Sequence, residues 1–463
     1  MTRLSVTTLV LVVQSLVPVV AAAGDAPPAR AAVAASRESE PDVLRLTVEQ
    51  AVAQALEASP LLGRLSALGA AAEAREEGAR AERWPQLEVG AGYQRWSDVP
   101  ELQIAQPSLD PDVPGQLVTI YPNIPDNWRL SADVTWPVYT GGRTGERIEA
   151  AVQGRAAATL DLEAARNDVV FAVKRTYWSL VSAREGVRVF AEAIRAFDAH
   201  LEDTRNRERF GMAARNDVLA VQVQRDRAEL NQLEAEAAVD LAAADLRRLL
   251  GLPGHVQIEA TEPLEASPTA DLDLESLVAE AGAGRPDRAA LVARIAASEA
   301  LAGVEHGSRL PQVAVTGSYL YANPNRVIIP PEEAWKDTWN VGVSLSWSVF
   351  DGGRRSAAEA TAQAETEAAR QQLREIDRSL RLEVTQRVLE LRTAEKRLLV
   401  SDRGVESAQE NRRVAADRYR EGLIPSSELL DAEVDLERAQ VARTEALATL
   451  RLAAAGLDRA VGR

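Results

Sequence analysis

Three residue types that often carry metal binding or catalysis, Cys, His and Met, are nearly absent from this chain. Its 463 residues hold no Cys, three His and only two Met, Met1 and Met212. Without Cys there is no thiolate metal site, no disulfide framework and no lipidated cysteine. His200, His255 and His306 are isolated, with no second His at ligand spacing, so no metal site or catalytic site is expected. Two methionines cannot build a ladder for soft copper or silver ions. No phosphate loop or nucleophile elbow is present, and the pairs Gly141-Gly142 and Gly352-Gly353 read as strand-to-helix turns. No enzyme and no cofactor is expected. The remaining chemistry is that of carboxylates at helix starts, where the dipole favours them: Asp217, then Glu428 and Asp431, three apart and on one helix face.

The elements that must position these groups are legible from patterning. A net charge of −16 with no basic run excludes a phosphate-binding surface, so no nucleic acid is expected as partner. Hydrophobic content is 46% but aromatic content only 4%, so the apolar material is mostly Ala, Val and Leu. Seven of the eight Trp fall in two windows, 84–136 and 335–347, leaving Trp178 alone in a helical stretch.

Those windows hold strands with two unlike faces. Trp339, Val341, Val343, Leu345, Trp347 and Val349 alternate with Asn340, Gly342, Ser344, Ser346 and Ser348. Earlier, Trp128, Leu130, Ala132, Val134, Trp136 and Val138 alternate with Arg129, Ser131, Asp133 and Thr135. Period two with one apolar and one wet face is a strand between two solvents. At about 3.3 Å per residue and a tilt of about 40°, Trp339 and Trp347 stand about 20 Å apart along a barrel axis, close to the spacing of two aromatic girdles. Trp128 and Trp136 repeat the arrangement.

Residues 1–23, with Arg3, an apolar run and Ala21-Ala22-Ala23, read as a cleavable signal peptide. Residues 24–45 read as a flexible arm. From there the chain repeats itself. Leu46 to Pro60 matches Leu272 to Pro286, and Trp84-Pro85-Gln86-Leu87 matches Leu310-Pro311-Gln312-Val313, at an offset of 226. From Trp128 against Trp339 the offset is 211, so the first half carries 15 extra residues in the proline-rich loop Ser97 to Asn127. The repeats are 46–271 and 272–463. Each reads as helix (Thr47 to Arg83; Asp273 to Arg309), strand, loop, strand, long helix (Arg143 to about Glu208; Arg354 to about Glu421) and returning helix (from Asp217; from Glu428). The long helices span about 65 residues, or about 100 Å, which suits a coiled coil and not a globular core. In the last helix Ala432, Leu436, Ala439, Arg443, Ala446 and Leu450 follow a four-three spacing, whose small residues let helices pack closely side by side.

A signal peptide, two repeats, strands running into Tyr139-Thr140-Gly141-Gly142-Arg143 and Phe350-Asp351-Gly352-Gly353-Arg354, and Gly211-Met212 or Gly422-Leu423 followed six residues on by Asp217 or Glu428 together resemble the TolC family of outer-membrane efflux proteins. The resemblance covers nearly everything after residue 45. It implies an α+β, internally duplicated fold: a homotrimer in the outer membrane, with four strands per chain forming one 12-stranded transmembrane β-barrel continuous with a periplasmic α-helical coiled-coil barrel. Four strands alone cannot close a barrel in lipid, which independently demands partner copies; the number three comes from the family.

It also implies an exit duct for small toxic molecules or polypeptides, in efflux or type I secretion, with a periplasmic adaptor and an inner-membrane pump of RND or ABC type. Gly211, Met212, Gly422 and Leu423 would form the adaptor-contacting tips. Asp217, Glu428 and Asp431 would face the tunnel entrance, and Tyr419 would bond across the closed tip. The family's arginine position in the second tip is Ile424 here, followed by Pro425, with Arg215 or Arg418 as substitutes. Two other readings fit the patterning in part: a structural or adhesive trimer, and a constitutively open porin, although porins lack 100 Å helices.

Overall fold

The computed structural model describes residues 43–106, 116–266 and 273–463. The expected signal peptide and the expected arm up to residue 42 lie outside them. In chain order the elements are β1 (Val43–Leu46), α1 (Val48–Ala58), α2 (Pro60–Ala81), β2 (Gln86–Arg95), β3 (Leu102–Gln106), β4 (Gln116–Tyr121), β5 (Asp126–Tyr139), α3 (Arg143–Arg209), α4 (Arg215–Leu249), β6 (Gln257–Ala260), α5 (Leu274–Gly284), α6 (Pro286–Gly307), β7 (Gln312–Asn323), β8 (Lys336–Ser346), α7 (Arg354–Arg420) and α8 (Ser426–Val461).

The opening helix of each half is two helices, not the single one expected. Proline has no N–H to donate and forces the preceding residue out of helical space. Ser59 is extended (φ −69°, ψ 115°) and caps α2, with Pro60 as its first residue; between α5 and α6 Arg285 is likewise extended ahead of Pro286, without a side-chain cap. Thr47 starts α1 through a reciprocal capping box with Gln50. Asp273 starts α5 by accepting from the Ser276 N–H at 3.0 Å.

Both long helices, α3 and α7, run 67 residues, about 100 Å. α3 packs on α4 and α7 on α8, and α3 also touches α8, joining the two hairpins. Around mid-length Tyr177 and Trp178 of α3 pack with Ala51, Ala55 and Leu246. Leu380 to Leu398 of α7 pack with Ala281 and Leu447 to Val461 in the equivalent place. A parallel pair, β1 with β6, lies over the first cluster, where the Tyr177 hydroxyl donates to the Leu46 carbonyl at 3.0 Å. The arm expected to extend through residue 45 therefore ends sooner, because Val43 to Arg45 are paired to Gln257 to Glu259.

The main sheet has the order β2-β5-β7-β8, antiparallel throughout. Its central pair, β5 with β7, joins the two repeats, and β2 and β8 are open edges. One face exposes Val89, Trp128, Val134, Trp339, Val341, Val343 and Leu345; the other carries Arg129, Asp133 and Ser344. Two boundaries differ from expectation. β8 starts at Lys336 and ends at Ser346, so Trp347 and Val349 lie past it. The stretch 97–127, expected to be loop, contains the hairpin β3–β4, whose apolar alternation (Leu102, Ile104 against Val118) supports pairing despite the flanking prolines.

Candidate functional site

Each helical hairpin turns at its tip through a glycine in the left-handed region, Gly211 (φ 72°) and Gly422 (φ 75°). In the first tip the Gly211 N–H donates to Glu208 O at 2.9 Å and Met212 N–H to Arg207 O at 2.8 Å. In the second, Gly422 N–H donates to Tyr419 O at 3.0 Å and Leu423 N–H to Arg418 O at 2.9 Å. These paired bonds satisfy the last helical carbonyls and need a residue without Cβ strain at the turn. They leave Met212 and Leu423 70% and 64% exposed at the two tips.

The carboxylates past the tips are not alike. Asp217 reaches back over the start of α4, where its Oδ2 accepts from the Ala214 N–H at 3.1 Å; Ala214 has no side-chain acceptor, so Asp217 satisfies the helix end. Glu428 and Asp431 are exposed on the first turns of α8. Ile424 is buried against Ala415, Tyr419, Leu429 and Ala432.

Tyr419 is buried at the centre of a polar network between the hairpins. Its hydroxyl lies 3.4 Å from Thr204 Oγ1, and its ring stands 5.4 Å from that of His200. The guanidinium of Arg207 lies 4.1 Å above it. Neither Arg215 nor Arg418 fills that place: Arg215 pairs with Glu208 at 3.4 Å and Arg418 contributes its carbonyl to the turn. His200 Nδ1 lies 2.8 Å from Glu433 Oε2 and its Nε2 3.0 Å from Ser426 Oγ, with all three residues buried. A Ser–His–Glu chain of this kind resembles a nucleophilic triad in connectivity. With Ser426 only 6% exposed no substrate reaches its hydroxyl, so the arrangement ties α3 to α8.

Two histidines expected to be isolated are therefore paired, His200 with Glu433 and His306 with Glu359 at 3.0 Å. The His306 hydrogen bond, with Arg309 adding its charge, holds the Glu359 carboxyl below its ordinary value. Part of the signal was present: Phe197, His200, Leu201 and Thr204 share one helix face, which marks His200 as a core position. Its partner, 233 residues away, is brought to it only by the packing of α8 on α3.

Trp128, Trp136, Trp339 and Trp347 are all exposed, the first two in β5, Trp339 in β8 and Trp347 just past its end. Trp136 donates its indole N–H to Arg83 O at 3.1 Å, and Trp347 to Arg309 O at 3.0 Å, equivalent clamps at the junction of sheet and helices. Trp128 packs on Tyr93 at 4.4 Å at the other end, and Trp339 stands opposite Tyr319.

A sequence model described as "Outer membrane efflux protein" matches residues 51–252 and 277–463, falling as two segments as the duplication does. The chain belongs to the outer membrane efflux protein family. Among curated relatives it is 24% identical over 333 residues to the cobalt-zinc-cadmium resistance protein CzcC of Cupriavidus metallidurans, covering 72% of this chain and 77% of the relative. It is 34% identical over 122 residues to Protein CyaE of Bordetella pertussis, a match spanning about a quarter of either chain (26% of each). Among solved structures it is similar to the outer-membrane channel OprN (TM-score 0.74, 23% identity, 90% of this chain and 89% of that one). The outer membrane protein VceC of Vibrio cholerae gives 0.74, 19% identity, 90% and 96%. The MtrE channel of Neisseria gonorrhoeae gives 0.74, 18% identity, 90% and 88%. At these identities the structures establish the fold. As a family member the protein is an outer-membrane efflux channel, whose helical portion lies in the periplasm. None of the described helices is long and apolar enough to cross a membrane.

Proposed function

We propose that three copies of this chain close one 12-stranded barrel and one helical tunnel, forming the passive exit duct of a tripartite export system. The observation that carries this reading is the continuity of two unlike structures. A sheet with an exposed apolar face, a polar face and two open edges leads directly through Gly141-Gly142 and Gly352-Gly353 into helices of about 100 Å. Open edges are not tolerated in lipid, and four strands do not close on themselves. Trp128, Trp136, Trp339 and Trp347 then form the aromatic girdles.

On this reading the exposed Met212 and Leu423, beside Gly211 and Gly422, contact a periplasmic adaptor. Asp217, Glu428 and Asp431 line the entrance, and the buried Tyr419 network holds it closed. On the same reading a pump of RND or ABC type in the inner membrane drives transport, and the channel is not an enzyme. The relation to a cobalt-zinc-cadmium resistance protein makes divalent cations the first cargo to assay, ahead of organic toxins and polypeptides. Single-channel recording in planar bilayers tests the duct. A gated duct gives small conductance that rises when the tip network is cut. An adhesive trimer gives none, and an ungated porin is wide open from the start.

A further inference from the structure

We propose that the barrel lumen sorts ions by charge at two levels, a carboxylate level of Glu88 and Asp133 and, nearer the cell exterior, a guanidinium level of Arg129. The proposal rests on the duct reading, by which the polar face of the main sheet lines the lumen, and adds to it the residues that favour a small cation as cargo.

The register of the sheet places the charges. Glu88 lies opposite Asp133, Asp133 opposite Ser318 and Ser318 opposite Asn340, so the four stand in one row across β2, β5, β7 and β8. A second row runs Gly92, Arg129, Ala322, Lys336. Residues directly opposite in an antiparallel pair share a face, and both rows have the parity of Ser344, opposite to that of Trp128 and Val343. The row between them and the row on the tunnel side of the carboxylates hold no ionisable residue. Charge on this face of the four strands is therefore confined to two levels.

The levels are ordered along the barrel. β5 runs through Gly141-Gly142 into α3, which puts Asp133 on the tunnel side of Arg129. Four residues at about 3.3 Å each, tilted by about 40°, separate the two by about 10 Å along the axis.

Partners set the charges apart further. Lys336 is paired with Glu332 at 2.6 Å, and Asp133 accepts a hydrogen bond from the Ser318 hydroxyl at 2.6 Å. Among the described residues Arg129 and Glu88 have neither a hydrogen bond nor an ion pair. Neither level serves the sheet itself. Like charges opposite each other weaken a strand pair, and an exposed guanidinium without a partner adds nothing to folding. What such charges supply is a field within low-dielectric walls.

The order gives that field a direction. A cation leaving the tunnel and an anion entering from outside each meet attractive charge first, and both accumulate between the levels; with the drive reversed, both are depleted there. Outward cation flow is favoured over its return. The Debye length is about 10 Å at 0.1 M salt, comparable with the spacing of the levels, and about 3 Å at 1 M, where the effect fades.

The chain has no Cys, so an introduced thiol reports the local potential. Gly92→Cys stands at the Arg129 level, where a Cβ meets nothing, and Asn340→Cys at the carboxylate level. The probes are an anionic and a cationic methanethiosulfonate of similar size, added to the full-length protein in detergent. At 0.1 M salt the ratio of anionic to cationic reaction rates should be about tenfold higher at position 92 than at position 340, as potentials of a few kT give, and the two should converge at 1 M. Arg129→Gln should lower the ratio at 92, Arg129→Lys should preserve it, and Glu88→Gln with Asp133→Asn should raise the ratio at 340. Equal ratios at the two positions, or a ratio at 92 indifferent to Arg129→Gln, overturn the charge sorting and leave the duct intact. Folded protein in which neither thiol reacts has no water-filled lumen, and the duct reading falls with the inference. If Arg129→Gln does not fold, the salt dependence of the ratio in Gly92→Cys alone reads the same charge.

Discussion

His200 Nδ1 lies 2.8 Å from Glu433 Oε2 across the seam between α3 and α8, and both side chains are almost wholly enclosed. Removing one member of a buried pair strands the other without a partner, a loss of about 3–5 kcal/mol, whereas replacing both by apolar residues of similar volume is often neutral. His200→Ala should therefore lower the thermal stability of the detergent-solubilised protein and raise its conductance. The double change His200→Leu with Glu433→Leu should recover much of the stability. A destabilised single variant with unchanged conductance would remove this seam from gating.

Val343 and Ser344 are neighbours on opposite faces of β8. Arginine at Val343 should cost about 2–4 kcal/mol if that face meets the middle of the bilayer, and far less at Ser344. Membrane insertion and heat resistance of the two variants report the difference. Equal insertion would mean that the apolar face is not lipid-exposed.

The three carboxylates past the tips separate into two roles. Asp217→Ala should cost about 1 kcal/mol through the lost bond to the Ala214 N–H. Glu428→Ala and Asp431→Ala, both exposed, should leave stability unchanged. If all three also focus charge into a narrow entrance, the triple alanine variant loses cation selectivity and block by trivalent cations, effects that salt screens in the parent. Reversal potentials in asymmetric KCl decide the matter, and full cation preference in the variant would place the three on an outer face.

Acid should act at the α5–α6 break. Arg285 hydrogen-bonds Asp287, joined by Glu383, and holds the Asp287 carboxyl below its ordinary value. A depressed folded-state value stabilises above the ordinary carboxylate range, about pH 4, and that stability is lost as pH falls through the folded value. Melting curves from pH 6 to pH 3 should therefore fall more steeply for the parent than for Asp287→Asn. Parallel curves would show that the pair contributes nothing to folding.

Gly141 and Gly142 both need positive φ, 66° and 88°, but only Gly141 is also pressed against Gly307. Gly141→Ala should thus impair folding well beyond Gly142→Ala, as judged by the yield of heat-stable protein in outer membranes. Equal yields would mean that the sheet and helix junction tolerates displacement of α6.

The membrane strands, the long helices, the glycine tips and the duplication were legible because each is written in local periodicity. Period two with Trp at both ends, 67 residues without a proline and two repeat offsets need no knowledge of distant contacts. The breaks at Pro60 and Pro286 were equally local and were misread as continuous helix, because the apolar periodicity runs on across a residue that cannot. The hairpin β3–β4 was hidden by the prolines around it.

Tertiary structure alone decided which residues meet. His200 and Glu433 lie on helices 233 residues apart in sequence, and nothing in the spacing of either element points to the other. Arg207, not Arg215 or Arg418, lies over Tyr419 because the phase of α3 against α7 turns its side chain onto that ring. Helical and strand periods fix a face. Which face meets which depends on how the hairpins pack, and that is set by the sum of contacts over their whole length.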